Sequence, residues 1–242
     1  MHRFYADPAR SNDSEFFLSA DDAHHAVNVL RLHPGDKTEI FFRGDRWLSE
    51  LTSCGQDVIL CPKVKLASTE PSLSVTLFQG LPKGDKMEWI VQKAVELGAF
   101  EIIPMATKRC VVKLDEKKSQ SKIKIWQAIA EAAAKQSKRA IIPNVHMPMT
   151  MKEAVQYAKD MDVKLIPYEN AEHMDVTKNL IEGIKPGESV AVFIGPEGGF
   201  SEEEIELCKA SDIKPITLGK RILRTETAGF TIISWLMYHL EG

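Results

Sequence analysis

Residues 189–200 read Ser189-Val-Ala-Val-Phe-Ile-Gly-Pro-Glu-Gly-Gly-Phe200, and this stretch decides the fold. Five apolar residues, Val190 to Ile194, run without a break. A half-exposed strand would alternate. An unbroken run is the pattern of a strand buried on both faces, as in a parallel sheet. The chain then turns through Gly195-Pro196-Glu197-Gly198-Gly199. Ser201 follows as an N-cap, and Glu204, three residues on, completes a capping box that opens a helix. Strand, glycine turn and helix in that order place the turn beyond the carboxyl end of a strand, where open α/β sheets hold ligands. Glycines there uncover backbone N–H groups and admit close approach. The same glycines also read as turn punctuation alone.

A second stretch repeats the order. Leu218-Gly-Lys-Arg-Ile-Leu-Arg-Thr-Glu-Thr-Ala-Gly229 follows a short strand, Pro215–Leu218, and leads through a polar knuckle into an apolar helix reaching Leu240. Two such turns can lie side by side at the ends of neighbouring parallel strands.

Working back toward the N-terminus, strands alternate with helices from Leu73 onward. Strands are expected at Leu73–Gln79, Glu101–Met105 and Val163–Pro167, and helices at Asp85–Leu97, Ser121–Lys138 and Met151–Lys159. Met87, Ile90, Val91, Ala94 and Val95 form the apolar stripe of the first helix, and Gly98 ends it. Ile125, Trp126, Ile129, Ala132 and Ala133 are expected inward on the second. Residues 1–65 differ in texture. Short strands at Lys37–Arg43, Arg46–Cys54 and Asp57–Lys65 are separated by turns at Pro34–Asp36, Gly44-Asp45 and Gly55–Asp57, as in a small barrel. One helix, Ser19–Arg31, interrupts them, with Ala23, Ala26, Val27 and Leu30 on one face. The polar stretch Lys65–Ser74 reads as the linker. The expected domains are therefore 1–68, a small β domain, and 73–242, an α/β domain with a parallel sheet.

No apolar run approaches the roughly 20 residues of a membrane span, and Met1–Asp7 lacks the apolar core of a signal peptide, so a cytoplasmic, membrane-free protein is expected. Cys54, Cys61, Cys110 and Cys208 lack metal or redox spacing and read as free thiols. The adjacent His24 and His25 point apart, and no metal is expected. The net charge of −3 does not announce a nucleic-acid partner. The distribution says more: Lys108 to Lys124 holds seven basic residues against Asp115 and Glu116. Such a strip suits phosphate contact and equally suits a solvated helix face.

The pair Ile194-Gly-Pro-Glu-Gly-Gly199 and Leu218-Gly-x-Arg-Ile-Leu-Arg-x-Glu-Thr-Ala228 resembles the signature of the RsmE family, with Pro82–Met87 and His25-x-x-x-Val-Leu-Arg31 extending the likeness across the chain. These are SPOUT-class methyltransferases that use S-adenosyl-L-methionine to methylate N3 of one uridine in 16S rRNA. The resemblance implies a PUA-like RNA-binding barrel followed by a SPOUT α/β domain whose C-terminal segment forms a trefoil knot. It also implies a homodimer and the small ribosomal subunit as partner.

Methyl transfer needs a cofactor held bent and a nucleophile about 3 Å from the methyl group. Ile194, Leu218, Ile222 and Leu223 can form an apolar slot for the adenine, and the backbone of Gly195, Gly198, Gly199 and Gly219 can hydrogen-bond to it. Pro196 shapes the turn, and Glu197 either orients the loop or faces the sulfonium. The resemblance adds Ile166, Pro167, Tyr168 and Glu169 as a third wall. Uridine N3 must lose its proton before it attacks, so a base or a cation near the developing charge on O2 and O4 helps. Arg224 is the candidate cation, and it also belongs to the cofactor loop. Glu226 either acts as the base or caps the last helix with Thr225. Lys83, Lys86, Lys108, Arg109 and Arg221 are expected to grip RNA phosphates. In Ala132-Ala-Ala-Lys-Gln-Ser-x-Arg139, Lys135 stands where the family pattern has Glu, so no acid role is assigned there. The alternatives are a SPOUT ribose 2′-O-methyltransferase, or a non-catalytic RNA-binding ribosome-assembly factor. A dinucleotide enzyme fits poorly: the glycine turn lies near the C-terminus, lacks the G-x-G-x-x-G spacing and has no matching acid at the next strand end.

Overall fold

The computed structural model describes every residue except Gln56, Asn170, Glu172 and Gly242. The turn expected at Gly55–Asp57 contains Gln56 and lies partly outside the described residues. The chain divides into two compact units, Met1–Glu70 with Ala134–Ile142, and Pro71–Ala133 with Pro143–Gly242.

The first unit is built from β1 (Arg3–Tyr5), β2 (Phe16–Phe17), α1 (Ala20–His24), β3 (Lys37–Phe42), β4 (Asp45–Cys54) and β5 (Val58–Leu66). Its sheet runs β1-β3-β4-β5-β2. Only the β1–β3 pairing is parallel. A bridge between Ala6 and Leu18 brings the two edges of the sheet together, as barrel closure requires. Phe4, Phe16, Ile40, Phe42, Leu51 and Leu60 fill the interior. β1 and β2 are too short to carry a readable alternation.

The helix expected at Ser19–Arg31 is shorter and changes type. Ser19 Oγ caps it by accepting from the Asp22 N–H at 3.2 Å. After His24 the chain widens into a π-helical turn, His25–Val29. The wider turn still sets Ala26, Val27 and Leu30 against the barrel core. Arg31, at φ 55°, then turns the chain away.

The expected linker is pinned rather than free. Glu70 Oε2 accepts from Arg139 Nε at 3.1 Å and Nη2 at 2.6 Å, while Oε1 accepts from the Ala140 and Ile141 N–H groups at 2.5 and 3.2 Å. The Tyr5 hydroxyl donates to the Arg139 carbonyl at 2.5 Å. Burial, with Glu70 adding to it, raises the Tyr5 phenol well above its ordinary value. Lys135 pairs with Asp22 at 3.3 Å. These bonds draw residues 134–142 into the first unit.

The second unit contains β6 (Ser74–Gly80), α2 (Lys86–Glu96), β7 (Glu101–Ala106), α3 (Glu116–Ser137, which runs on into the first unit), β8 (Asn144–Val145), β9 (Met149–Thr150), α4 (Met151–Tyr157), β10 (Val163–Pro167), α5 (Met174–Glu182), β11 (Ser189–Ile194), α6 (Glu202–Ala210), β12 (Lys214–Ile216) and α7 (Thr225–Glu241). The sheet order is β12-β10-β11-β6-β7-β8, with β9 also on β7, and every pairing is parallel. Parallel neighbours need crossovers, which the helices supply. Helices α2 and α5 pack against α7 on one face, and α4 packs against α6 on the other. Phe78 of β6 and Phe193 of β11 are register partners at the centre, their rings stacked 4.4 Å apart.

The α2 stripe is buried as expected, and Gly98 takes φ 98° after the helix. Helix α3 differs from its expected reading. It starts at Glu116 because Asp115 Oδ1 accepts from the Lys118 N–H at 2.8 Å, a cap the sequence reading passed over. Its buried residues are Ser119, Trp126, Ala130, Ala133 and Ala134, whereas Ile125 and Ala132 are exposed. The expected face straddled two adjacent positions, and one position is 100° of rotation.

Beside β7, Glu101 accepts from His146 Nε2 at 2.7 Å, Thr76 Oγ1 at 2.9 Å and the Tyr157 hydroxyl at 3.0 Å. Burial works to raise its carboxyl, but these bonds outweigh it and hold it below the ordinary 4.5. Burial and Glu101 together push the Tyr157 phenol up to about 12. The stability Glu101 adds is therefore complete above its unfolded value and is lost as pH falls through the depressed folded value. Glu101→Gln should cost about 1–3 kcal/mol at neutral pH, measured by urea unfolding. The difference from wild type should shrink below pH 4.5; a difference constant down to pH 3 would contradict this assignment.

Candidate functional site

Three loops meet at the carboxyl ends of three adjacent strands. They are residues 167–169 after β10, 195–200 after β11 and 217–224 after β12. Together they enclose a cleft of about 550 Å³, within the roughly 300–1,000 Å³ usual for small-molecule sites.

Local chemistry fixes each loop. In the first turn, Gly195 is crowded by Gly199 and Phe200, and Gly199 sits at φ 66°. Gly198 packs under Arg109, where an added Cβ would lie 3.1 Å from the Arg109 Cβ. Arg109 Nη1 donates to the Gly198 carbonyl at 3.0 Å. Below the turn, Gly80 leaves room for Pro196: a Cβ on Gly80 would fall 2.6 Å from the Pro196 nitrogen and Cδ. Ser201 and Glu204 form the expected capping box. The third loop is clamped by Thr177 of α5, whose hydroxyl donates to the Thr217 carbonyl at 3.2 Å and accepts its N–H at 3.1 Å. Gly219, at φ 108°, makes the turn that follows.

Glu197 orients the first loop. It accepts from Lys86 Nζ at 2.8 Å and the Lys83 N–H at 3.2 Å. Burial tends to raise its carboxyl, but Lys86 and the backbone N–H groups hold it below its ordinary value. The hydrogen bond to Glu197 raises Lys86 in turn. Lys86 also lies 3.7 Å from Glu226 Oε2.

Most of the expected cofactor residues line the cleft: Tyr168, Ile194 to Gly199, Leu218, Gly219, Ile222, Leu223 and Arg224. Ile166 does not. It is fully buried against the α4–α6 side of the sheet, because alternation along β10 turns it into the core. Pro167 and Glu169 stand beside Tyr168 instead. Ile222 is 87% exposed and forms a rim rather than a slot. Arg224 is exposed in the wall, with no side-chain hydrogen-bond or ion-pair partner among the described residues. Glu226 is set back. Thr225 and Ala228 face the cleft, and one residue of helical rotation turns Glu226 toward Lys86. It is 7% exposed, and its Oε2 has no hydrogen-bond partner among the described residues. The start of α7 favours a carboxylate there.

The five residues expected to grip phosphate divide. Lys86 is engaged by Glu197, Lys108 Nζ by Glu203 and Arg109 by Gly198. The side chains of Lys83 and Arg221 have no ion-pair partner among the described residues. Arg109 and Lys86 line the cleft, which the sequence reading did not anticipate. Gln79, Gly80, Thr177 and the latching role of Thr225 were also missed. Gly80 alone gave a signal, as a glycine ending a strand. Among the described residues no group of three or more His, Cys, Asp or Glu is placed to hold a metal.

Comparison with known proteins adds to this geometry. A family model described as an RNA methyltransferase domain matches residues 69–237, and one described as an RNA methyltransferase PUA domain matches residues 18–55. Ribosomal RNA small subunit methyltransferase E of Bacillus subtilis (strain 168) is 34% identical, with 100% of this chain and 98% of that protein covered. The protein of that name from Mesomycoplasma hyopneumoniae (strain 232) is 32% identical over 97% of this chain and 98% of its own. The crystal structure of a ribosomal RNA small subunit methyltransferase E from Neisseria gonorrhoeae bound to S-adenosyl methionine superimposes with a TM-score of 0.77. That protein is 30% identical, over 97% of this chain and 95% of its own.

Proposed function

Because the chain belongs to the ribosomal RNA small subunit methyltransferase E family, we propose that it transfers a methyl group from S-adenosyl-L-methionine to N3 of a uridine in 16S rRNA. The observation that carries the reading is the cleft itself: two glycine turns at the ends of parallel strands β11 and β12, on either side of β10 rather than on neighbouring strands, with the unpartnered Arg224 guanidinium in its wall. Exposed backbone at Gly195–Gly199 and Gly219 suits the polar edges of the cofactor, and Ile194, Leu218 and Leu223 suit its adenine. The group supplies an electrophilic methyl when bound. The protein's part is to hold it, to exclude water and to stabilise the uracil anion.

In this reading Arg224 faces O2 or O4 of the uracil as N3 loses its proton, and Glu226, set behind it, holds the charge balance of the wall with Lys86. Glu226 is the base only if a small shift of α7 brings it forward. Lys83 and Arg221 meet RNA phosphate, while Lys108 and Arg109 contribute only where RNA displaces Glu203 or Gly198. The division at 68–73 separates the RNA-holding barrel from the transferase domain. A homodimer is part of the proposal. Trp89 and Phe230 pack edge to face at 5.3 Å, with Trp89 49% exposed, and Tyr238 on the same helix is 82% exposed. Burial of such aromatics between copies fits an obligate interface. A knotted C-terminal segment fits the return of α7 onto the ends of β6 and β11. A cytoplasmic site of action accords with a ribosomal substrate; among the described residues no helix is long and apolar enough to cross a membrane.

Equilibrium dialysis with labelled S-adenosylmethionine, followed by transfer to unmethylated small subunits, tests the reading. Saturable binding and label in 16S rRNA are expected. No binding at millimolar cofactor would instead favour an assembly factor without catalysis.

A further inference from the structure

We infer that Gln79 and Thr225 form a positioning pair that fixes the cofactor turn, an inference that rests on the cleft being an S-adenosylmethionine site. Gln79, next to the end of β6, is fully buried. Its Nε2 donates to Thr225 Oγ1 at 2.8 Å and to the Gly80 carbonyl at 3.0 Å. Thr225 Oγ1 lies 2.6 Å from the Gly195 carbonyl. The direction of every bond follows from donor and acceptor chemistry. The Gly80 carbonyl only accepts, so the amide nitrogen of Gln79, not its oxygen, faces it. That nitrogen then occupies a lone pair of Thr225 Oγ1, and the hydroxyl hydrogen goes to Gly195. The result is a one-way relay, Gln79 to Thr225 to Gly195, in which each bond polarises the next.

The relay ties together three segments far apart in sequence: the end of β6, the first residue of α7 and the turn after β11. Gly195 and Thr225 are walls of the cleft, whereas Gln79 is not. Gln79 therefore acts through Thr225. Pinning the Gly195 carbonyl fixes the plane of the Gly195–Pro196 peptide, and Pro196 rests on Gly80 immediately below. The amides of the turn are thus presented in one arrangement, and the spacing between the 195–199 and 217–224 loops, which grip the same ligand, is set from beneath. Neither residue touches the reacting atoms.

Three single variants and one double variant test this, with S-adenosylmethionine dissociation constants, KM and kcat measured against the thermal midpoint of each protein. Thr225→Val removes the hydroxyl at constant shape and should weaken cofactor binding about tenfold or more, with a smaller change in kcat. Thr225→Ser should restore affinity to within about threefold, since the relay needs only the hydroxyl. Gln79→Ala should reproduce the Thr225→Val loss, and the double variant should be no worse than Thr225→Val alone, because the two act as one chain. Should Thr225→Val not fold, Thr225→Cys supplies a weaker donor, and its KM should exceed that of Thr225→Ser. Wild-type affinity in a folded Thr225→Val or Thr225→Cys protein, or additive losses in the double variant, would overturn the inference and leave the cofactor site intact. Failure of the wild type itself to bind S-adenosylmethionine would remove that site, and the inference with it.

Discussion

Gly80→Ala is expected to reduce S-adenosylmethionine affinity about a hundredfold while the protein still folds. The added Cβ would sit 2.6 Å from both the nitrogen and Cδ of Pro196 and 3.0 Å from the carbonyl carbon of Gly195. No real Cβ approaches that closely, and the atoms in its way are backbone and a proline ring rather than a flexible side chain. The first cofactor turn must therefore move, and a displacement approaching 1 Å in a ligand-positioning element can cost about 10²-fold. Gly229→Ala is the matched control. Its Cβ would meet Ile194, Gln79 and Leu77 at 3.7–3.8 Å, which is ordinary contact. In the interior of α7 that change should raise stability by up to about 1 kcal/mol and leave cofactor affinity alone. Titration calorimetry on both variants decides the matter. Equal affinity in Gly80→Ala and Gly229→Ala would mean that the turn is not what binds the cofactor.

The second large effect belongs to Arg224. Its replacement by alanine should lower kcat about 10²–10³-fold, the loss typical of removing one donor from a developing oxyanion, with S-adenosylmethionine affinity changed only a few-fold. The reason is geometric and electrostatic. Of the cations lining the cleft, Arg109 and Lys86 are held by Gly198 and Glu197, whereas the Arg224 guanidinium, like the side chains of Lys220 and Arg221, has no partner among the described residues, and Arg224 directly precedes Thr225 at the start of α7. Loss of the uridine N3 proton places negative charge on O2 and O4, and only a cation free to meet it stabilises that state more than the ground state. Arg224→Lys should recover activity in part, since an ammonium is a point charge without the planar fork. Stopped-flow or quench measurement of a single turnover separates this loss from product release. An unchanged single-turnover rate in Arg224→Ala would move the cation role elsewhere.

Much of this architecture was legible in the chain. The unbroken run Val190–Ile194 announced a central parallel strand, and the Ser201–Glu204 box marked the start of α6, because both signals are local. The stripe of α2 was readable because five apolar residues fall on one face. What failed was non-local or too short. Ile166 was assigned to the cleft, but which side of β10 faces the ligand depends on the pairing with β11 and β12. Glu226 read as a candidate base, yet the rotation of α7 sets it behind Thr225. Gln79 and Thr225 are 146 positions apart, and nothing in either neighbourhood predicts that they meet. The assignment of residues 134–142 to the barrel unit depends on Glu70 and Arg139, 69 positions apart. Lys86 and Lys108, read as phosphate grips, are shared with Glu197 and Glu203, because composition counts charges without showing which are already paired.

The central claim is most directly tested by the identity of the product. Unmethylated small ribosomal subunits are incubated with the protein and S-adenosylmethionine, the 16S rRNA is digested, and the nucleosides are separated by mass spectrometry. N3-methyluridine, formed in wild type and nearly absent with Arg224→Ala, is the predicted result. A ribose 2′-O-methyl nucleoside, or N3-methyluridine at an undiminished rate with Arg224→Ala, would contradict the account.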